Sequence, residues 1–504
     1  MQFLKGEHLD VRVVHPLRRL VQLHHHHVPI LRCHFVFKVK YKNGVVDRLK
    51  SRLVVDGSQQ QKGIDFQETF APVVKYTSVR MFLAICSVFK MKIHQLDVKN
   101  AFVYAPLDED VYVWPHPEMG ISPGHCIKLL RSLYGLKQAP RNWNAYLHKF
   151  IKEKIGLNRT PQDYCLYYGV VHGHLVFAAV FVDDILIACA NIDILSQVKH
   201  LFCKSFEMTD LGPVKEFLGV RIIQDDESIT LDQSIYIDKM LDKFSKYIIP
   251  TRNYSGLPMK SGHIRRQEEP STERQRKFVE EFPYSEIVGS VLYLSVITRV
   301  DIAYSVGVLT RHMKKPTYDS CLAACRLLLY LKTTKNRGLR YHGRSLNLRA
   351  FTDSDWAGDL DTRRSTSGYI VMMAGAPIVW MSKLQPIVAA SSMEAEYIAA
   401  FFVIQEATWI RAVLHALGLT RNKPTPVSID NKSAKDLALN PVHHQRSKHI
   451  DVVKYHWLRD KVIDGTVDLL QVDTEDQRAD VLTKVVDGST FNYHIDYLMV
   501  WVSS

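Results

Sequence analysis

Residues 179–190, AVFVDDILIACA, place two adjacent carboxylates, Asp183 and Asp184, at the centre of a run that otherwise reads as buried strand. Burying an ionised carboxylate without compensation is prohibitive, so this pair must reach solvent, take up protons or hold cations. The flanks LVFAAVF and ILIACA fit two short strands, with Val182, Asp183 and Asp184 at or near the turn between them. Asp is a common turn former, but hairpin turns usually add Gly or Asn, and here apolar residues press on both sides. Divalent magnesium is the natural compensator, because it takes oxygen ligands and is often held by a few carboxylates plus substrate phosphates. Adjacent strand residues point to opposite faces, so both Asp side chains can serve one site only if the chain turns between or beside them.

A third carboxylate stands upstream in QLDVKNAF, where Asp97 ends a short strand pattern and Phe102 follows it. Downstream, SLYGLKQAPRNW gathers Tyr134, Gly135, Lys137, Gln138, Pro140 and Arg141. With 504 residues the chain is too long for one ordinary core, so two or three domains are expected. A formal charge of +13 marks a candidate nucleic-acid binder. The eight cysteines are scattered without a Cys-x-x-Cys pair, which reads as reduced core residues rather than disulfides or a zinc site. No apolar run reaches the roughly 18 residues that argue for a membrane span, and the charged opening stretch is not a secretory signal, so an intracellular chain without a membrane partner is expected.

The segment 260–278 is polar and reads as a solvated loop, followed by two stretches with the apolar spacing of packed helices. From about residue 346 the order becomes strand, hairpin, long amphipathic helix, strand and helix, with Ser391 or Ser392 as the helix cap. Four carboxylates fall along it: Asp353 in AFTDSDW, Glu394 in SSMEAEY, Asp430 in VSIDNKSA and Asp480 in QRADVLTK. Asp355, Glu396 and Asp451 stand nearest to them and become decoys, structural or solvated acids, only because the motif match quoted below falls on their neighbours. The basic run from His443 to His449 is either a solvated helix entry or a contact to a nucleic-acid backbone. The His run 24–27 is read as incidental.

The ordered set KSRLV, GIDFQETFAPVVKYTSVR, QLDVKNAF, SLYGLKQAPRNW, FVDDILIA and EFLGVRI resembles the reverse transcriptase of copia-type LTR retrotransposons. TRRSTSGY, SSMEAEY, HHQRSKHIDVVKYHWLRDK and DQRADVLTK resemble the RNase H domain that follows it in the same elements. The resemblance runs from about Phe35 to Lys484. It departs at Phe35, Val55–Asp56, residues 103–106 and Phe181 without touching a proposed metal ligand. In the connecting block, Arg299 precedes Val300 and Asp301 where the family has Pro-Asp, a change expected to relax a turn.

The resemblance implies an α+β chain: a right-hand polymerase of fingers and palm, a helical connection, and an RNase H-like α/β domain. The expected blocks are an unmatched segment 1–34, fingers and palm 35–245, thumb or connection 246–345, RNase H-like domain 346–484 and tail 485–504. It implies two magnesium ions at Asp97, Asp183 and Asp184, and two more at Asp353, Glu394, Asp430 and Asp480. Lys50 and Arg52 would hold the incoming triphosphate, Phe102 would exclude a 2′-hydroxyl, and Lys137 and Gln138 would contact the nucleotide. Read without the motif, these are exposed strand charges, a core aromatic and surface polar groups. The implied partners are an RNA template, a DNA primer, an RNA/DNA hybrid and dNTPs, in cytoplasmic particles and the nucleus. No capsid zinc knuckle, aspartic protease motif or integrase His-His-Cys-Cys module is seen. The chain therefore reads as the C-terminal part of a longer polyprotein or as a frame left from a decayed copy. An inactive remnant that at most binds nucleic acid is the alternative; a different two-metal nuclease or transferase would fit the second carboxylate set alone.

Overall fold

A computed structural model describes residues 18–22, 29–42, 45–249, 254–266, 269–419, 423–439 and 452–502. The His run 24–27, the basic run 443–449 and Asp451 lie outside the described residues. The chain divides into two compact units, one of residues 1–74 and 93–213, the other of residues 75–92 and 214–504.

The first unit is organised by a six-stranded sheet whose strands lie in the order Met208–Pro213, Lys92–Val98, Asp184–Cys189, His174–Phe181, Leu166–Val171 and Asn158–Arg159. Its apolar alternation has one clear use. Leu96, Val98, Ile185, Ile187 and Cys189 share a core with Trp143, Leu147 and Ile151 of one helical stretch and Ile194, Leu195 and Val198 of another. These stretches are the helices Ala139–Phe150, extended by a π turn to Ile155, and Ile192–Ser205. The Asn191 side chain caps the latter by accepting from the amides of Asp193 and Ile194. Because strand side chains alternate, Gln95, Asp97 and Asp184 fall on the sheet face opposite those helices.

The same unit holds a long hairpin, Cys33–Lys42 with Val45–Val55, and a four-stranded sheet that includes Pro106–Val113 and His125–Arg131. Leu53, Val55, Val111, Val113, Ile127, Leu129, Leu133 and Leu136 close a second core. The loop after His125–Arg131 docks on the hairpin: the Val55 amide donates to the Tyr134 carbonyl at 2.8 Å. Gly135 has φ +94, and a Cβ there would lie 1.9 Å from the Val55 carbonyl oxygen, so the docking requires glycine.

In the second unit, the helix Tyr76–Val88 is buried at every residue from Ser78 to Ser87. Its Arg80 is sealed in: Nε donates to the Ile378 carbonyl at 2.7 Å, Nη1 to those of Val296 and Ile297 at 2.8 Å, and the guanidinium lies 4.3 Å from the Trp380 ring. Three carbonyls and an aromatic face make that buried cation tolerable. Thus residues 75–92, inside the 35–245 block of the sequence reading, pack with elements far along the chain. The block 246–345 supplies the helices Glu273–Glu281, Tyr284–Ile297, Ala303–Thr310 and Tyr318–Thr333. Arg299 and Asp301, both fully buried, pair through two hydrogen bonds of 2.9 and 2.7 Å around Val300, which sits in a 3-10 turn. Within the segment read as a tail, residues 488–501 give the helix Gly488–Leu498 and the strand Val500–Trp501, which pairs with Arg337–Gly338.

A five-stranded sheet in this unit has the order Ala376–Leu384, Thr366–Met373, Arg349–Asp355, Thr425–Ile429 and Val467–Gln471. The first two pairings are antiparallel and the last two parallel. The helix Ser392–Ala416 packs on its central strands. That helix is long and apolar enough to cross a membrane by composition, and 56% of the apolar window is buried against the protein. This is the mixed α/β layout expected of an RNase H-like domain.

Candidate active sites

In the first unit the carboxylate pair sits where the chain turns. His174–Phe181 and Asp184–Cys189 form an antiparallel hairpin with Phe181 opposite Asp184, leaving Val182 and Asp183 as a two-residue turn. Val182 has φ +55, a conformation that β-branched residues rarely adopt. Two hydrogen bonds hold it. The buried Trp143 indole donates to the Val182 carbonyl at 2.6 Å, and the Val98 amide donates to the Asp183 carbonyl at 2.8 Å. Strain of this kind persists only where the surroundings over-determine it, and it concentrates at functional sites.

The turn resolves the face problem. Asp184 opens its strand and accepts from Gln95 at 3.3 Å, on the face that carries Asp97, while Asp183 rides the turn itself. Burial, with the nearby Asp183 and Asp97 charges, pushes the Asp184 carboxyl above its ordinary value despite the Gln95 hydrogen bond. Tyr134 lies at the centre of the group: its ring meets Phe102 edge to face at 4.8 Å, the Arg52 guanidinium lies 5.1 Å from its centroid, and burial and the Asp183 and Asp97 charges raise its hydroxyl. Phe102 stands on the 3-10 turn Ala101–Tyr104 that follows Asp97. Lys50 and Arg52 lie two residues apart on one face of the hairpin strand Val45–Val55. The structure thus gathers Asp97, Phe102, Asp183 and Arg52 around Tyr134, with Asp184 beside Asp183 and Asp97.

Gln138 requires a correction. Only 1% exposed, it accepts from Gln60 at 2.9 Å and donates to the Asp65 carbonyl at 2.8 Å, so it is a buried amide bonded to protein rather than a surface one. Its work is to clamp the loop around Gln60 to the start of the helix Ala139–Phe150. Lys137 beside it is exposed, with Nζ 3.2 Å from the Gln60 carbonyl and 5.1 Å from the Phe66 ring.

The second unit draws its carboxylates closer. Asp353 lies on the central strand Arg349–Asp355, Asp430 directly follows the parallel strand Thr425–Ile429, and Asp480 opens the 3-10 turn Asp480–Leu482. One oxygen from each lies within 4.8 Å of the others, and among the described residues this is the group of three acids that meets that limit. Gln477, fully buried, donates to the carbonyls of Thr352 and Ser428 at 2.9 and 3.4 Å, tying together the two strands that carry Asp353 and Asp430. Thr483 Oγ1 donates to Asp353, and Lys484 Nζ lies 2.9 Å from Asp480 and 3.8 Å from Asp353.

The fourth member differs from the sequence expectation. Glu394 Oε2 accepts from the Ala390 amide at 2.7 Å, within the cap of the helix Ser392–Ala416, so that oxygen is engaged at the helix end. Glu396, read as a decoy, is the one aimed at the cluster. It accepts from the Ser354 amide at 3.0 Å, beside Asp353. Burial and the charges of Asp353 and Asp430 hold its carboxyl well above the ordinary range. Two residues along a helix turn a side chain by about 200°, so only one of the pair can face the sheet. Burial and the neighbouring Asp353 raise Asp430, which Lys484 partly relieves, and push Asp480 up to about 7. Asp355 is also raised by burial.

These residues fit divalent cations. Asp480 Oδ1 and Glu396 Oε2 are buried and have no hydrogen-bond partner, the situation of oxygens that await a cation or a proton. Lys484, despite the burial that opposes its charge, is kept protonated by Asp353 and Asp480.

Residues 16–255 match the reverse transcriptase (RNA-dependent DNA polymerase) family. The retrovirus-related Pol polyprotein from transposon TNT 1-94 of Nicotiana tabacum is 39% identical over 471 residues, covering 92% of this chain and 35% of that protein. A transposon Ty5-1 protein of Saccharomyces cerevisiae is 34% identical over 317 residues, 62% of this chain and 100% of that protein. A solved foamy viral protease-reverse transcriptase in complex with dsDNA aligns with 90% of this chain and 79% of its own at 13% identity and TM-score 0.47. The chain spans about a third of the length of the curated Pol polyproteins it matches. The chain belongs to the reverse transcriptase family of copia-type transposon Pol polyproteins.

Proposed function

We infer that this chain is an RNA-directed DNA polymerase with RNase H activity on RNA/DNA hybrids. The observation that carries the reading is the presence of two carboxylate sets, each assembled from segments distant in sequence. In the polymerase, Asp97 and Asp183 are the principal ligands and Asp184 the auxiliary one. When bound, two magnesium ions per site supply Lewis-acid activation of the attacking oxygen and neutralise charge on the leaving oxygen. The chain does the rest. Arg52, with Lys50 beside it on the strand, holds the triphosphate as a fixed cation, and Phe102, edge to face with Tyr134, closes the sugar side against a 2′-hydroxyl.

In the RNase H-like domain the ligand set is Asp353, Glu396, Asp430 and Asp480, with Glu394 replaced by Glu396 for the geometric reason given above. An RNA template, a DNA primer, the hybrid and dNTPs are the partners of this reading, and cytoplasmic particles followed by nuclear entry its location. The test is direct. The full chain, given a DNA-primed RNA template, dNTPs and magnesium, extends the primer and shortens the RNA, and Asp97→Asn abolishes extension. Extension unaffected by Asp97→Asn overturns the site; neither product from the unaltered chain favours a remnant that at most binds nucleic acid.

A further inference from the structure

Lys484 is the cation that the second carboxylate set already possesses. The turn Asp480–Leu482 carries the chain back so that Lys484, four residues after Asp480, places its ammonium 2.9 Å from one cluster carboxylate and 3.8 Å from another. Its backbone is tied to the same turn by an amide donating to the Asp480 carbonyl at 3.2 Å. The Lys484 side chain is 38% exposed, whereas those of Asp353 and Asp480 are 3% and 6% exposed, so the lysine borders solvent where the two acids do not. A compact ammonium on a flexible four-carbon stem is suited to movement towards it.

We propose that Lys484 is a resident counter-cation of the Asp353–Asp430–Asp480 cluster, which neutralises it before metal binds and must be displaced for a divalent cation to enter. The inference rests on the RNase H reading of this cluster. Its physical basis is electrostatic. Three carboxylates with oxygens inside 4.8 Å repel one another strongly, and one ammonium removes part of that repulsion. An incoming cation then pays to expel the ammonium, so affinity is taxed in proportion to the population of the closed arrangement. The consequence is a site that stays folded without metal and fills only at adequate metal concentration.

The test is Mn2+ binding to the full chain without nucleic acid, read by the paramagnetic signal of free Mn2+, together with thermal unfolding in EDTA and in Mn2+. The component of binding lost in Asp353→Asn defines the site. Lys484→Met is expected to tighten that component on the order of tenfold, to lower the unfolding temperature in EDTA, and to recover more of it on adding Mn2+ than the unaltered chain gains. Lys484→Arg keeps the charge and stays close to the unaltered chain. Unchanged or weaker Mn2+ binding in Lys484→Met overturns the proposal, as does a loss of stability equal in EDTA and Mn2+, which marks a merely structural lysine. Should Lys484→Met fail to fold, Lys484→Gln makes the same comparison. Binding indifferent to Asp353→Asn instead overturns the metal reading of the cluster itself.

Discussion

Asp97, Asp183 and Asp184 stand half-buried on and beside a two-residue turn, whereas Asp353 and Asp480 are buried and close on Asp430 with their oxygens within 4.8 Å. The first set is placed by backbone: a positive-φ valine, an indole on its carbonyl, and a neighbouring strand amide on the next carbonyl. The second is placed by side chains, with Gln477 and Thr483 bonding the elements that carry the acids and Lys484 offsetting their charge. An open, backbone-held set keeps its oxygens accessible, and under the proposed function a triphosphate adds further oxygens and charge there. A closed, side-chain-held set gathers its acids before substrate arrives and therefore bears the electrostatic cost in its own fold.

The largest expected break in this comparison lies between two glutamates. Glu396→Gln is expected to lower hybrid cleavage by more than the roughly 10–100-fold that loss of a supporting partner costs. Glu394→Gln leaves cleavage near normal and destabilises the helix end by about 0.3–1 kcal/mol through loss of its negative charge there. Rates of RNA cleavage and unfolding temperatures for both variants decide it; the reverse order would restore Glu394 as the ligand.

Next is Trp143. Replacing it with Phe keeps most of the apolar volume and leaves the Val182 carbonyl without its donor, a cost of about 1–3 kcal/mol. Primer extension is expected to fall about tenfold or more, because small displacements of reacting groups are costly, while hybrid cleavage is unchanged. Equal losses in both assays would indicate general unfolding rather than a displaced turn.

A smaller effect separates the centres by pH. Asp480 has an ordinary value of 3.8 and is pushed up to about 7, and Glu396 is also raised, so between those values the folded chain binds more protons than the unfolded one. The stability they contribute is therefore present at low pH and lost as pH rises through about 7. In EDTA, melting curves from about pH 5 to about pH 8 should show this loss, and Asp480→Asn should show less of it. An identical slope in the variant would contradict the charge crowding. Smallest of all is Val182→Gly. Relief of the positive φ is worth about 1–2 kcal/mol and is offset by lost apolar contact and added chain entropy, so the unfolding free energy should move by about 1 kcal/mol or less.

Much of this was legible in the chain. The apolar flanks of Asp183 and Asp184 read as two short strands with the acids at or near the turn, as the hairpin has them, and the strand, hairpin, long helix and strand after residue 346 occur in that order, whereas the edge strand Val467–Gln471 was not read and Asp480 stands on a 3-10 turn. What was not legible depends on partners distant in sequence. Gln138 reads as an exposed amide until Gln60 and Asp65, more than 70 residues earlier, fold over it. Glu394 and Glu396 both sit in an apolar stretch, and the rotation of the helix against the Asp353 strand decides which one faces inward. The helix Tyr76–Val88 is apolar on all sides, so periodicity could not say which unit buries it; Arg80 finds its carbonyl partners more than 200 residues away. Trp143 was visible in SLYGLKQAPRNW, but its acceptor is a carbonyl, which no side-chain motif encodes.

The central claim is that two separate carboxylate sets perform two separate reactions in one chain. It is tested most directly by giving Asp183→Asn and Asp430→Asn, in parallel, a primed RNA template with magnesium and reading primer and template lengths from the same reaction. Asp183→Asn is expected to stop extension and keep cleavage of a preformed hybrid, while Asp430→Asn stops cleavage and keeps extension. Loss of both activities in either folded variant, or of neither, would contradict it.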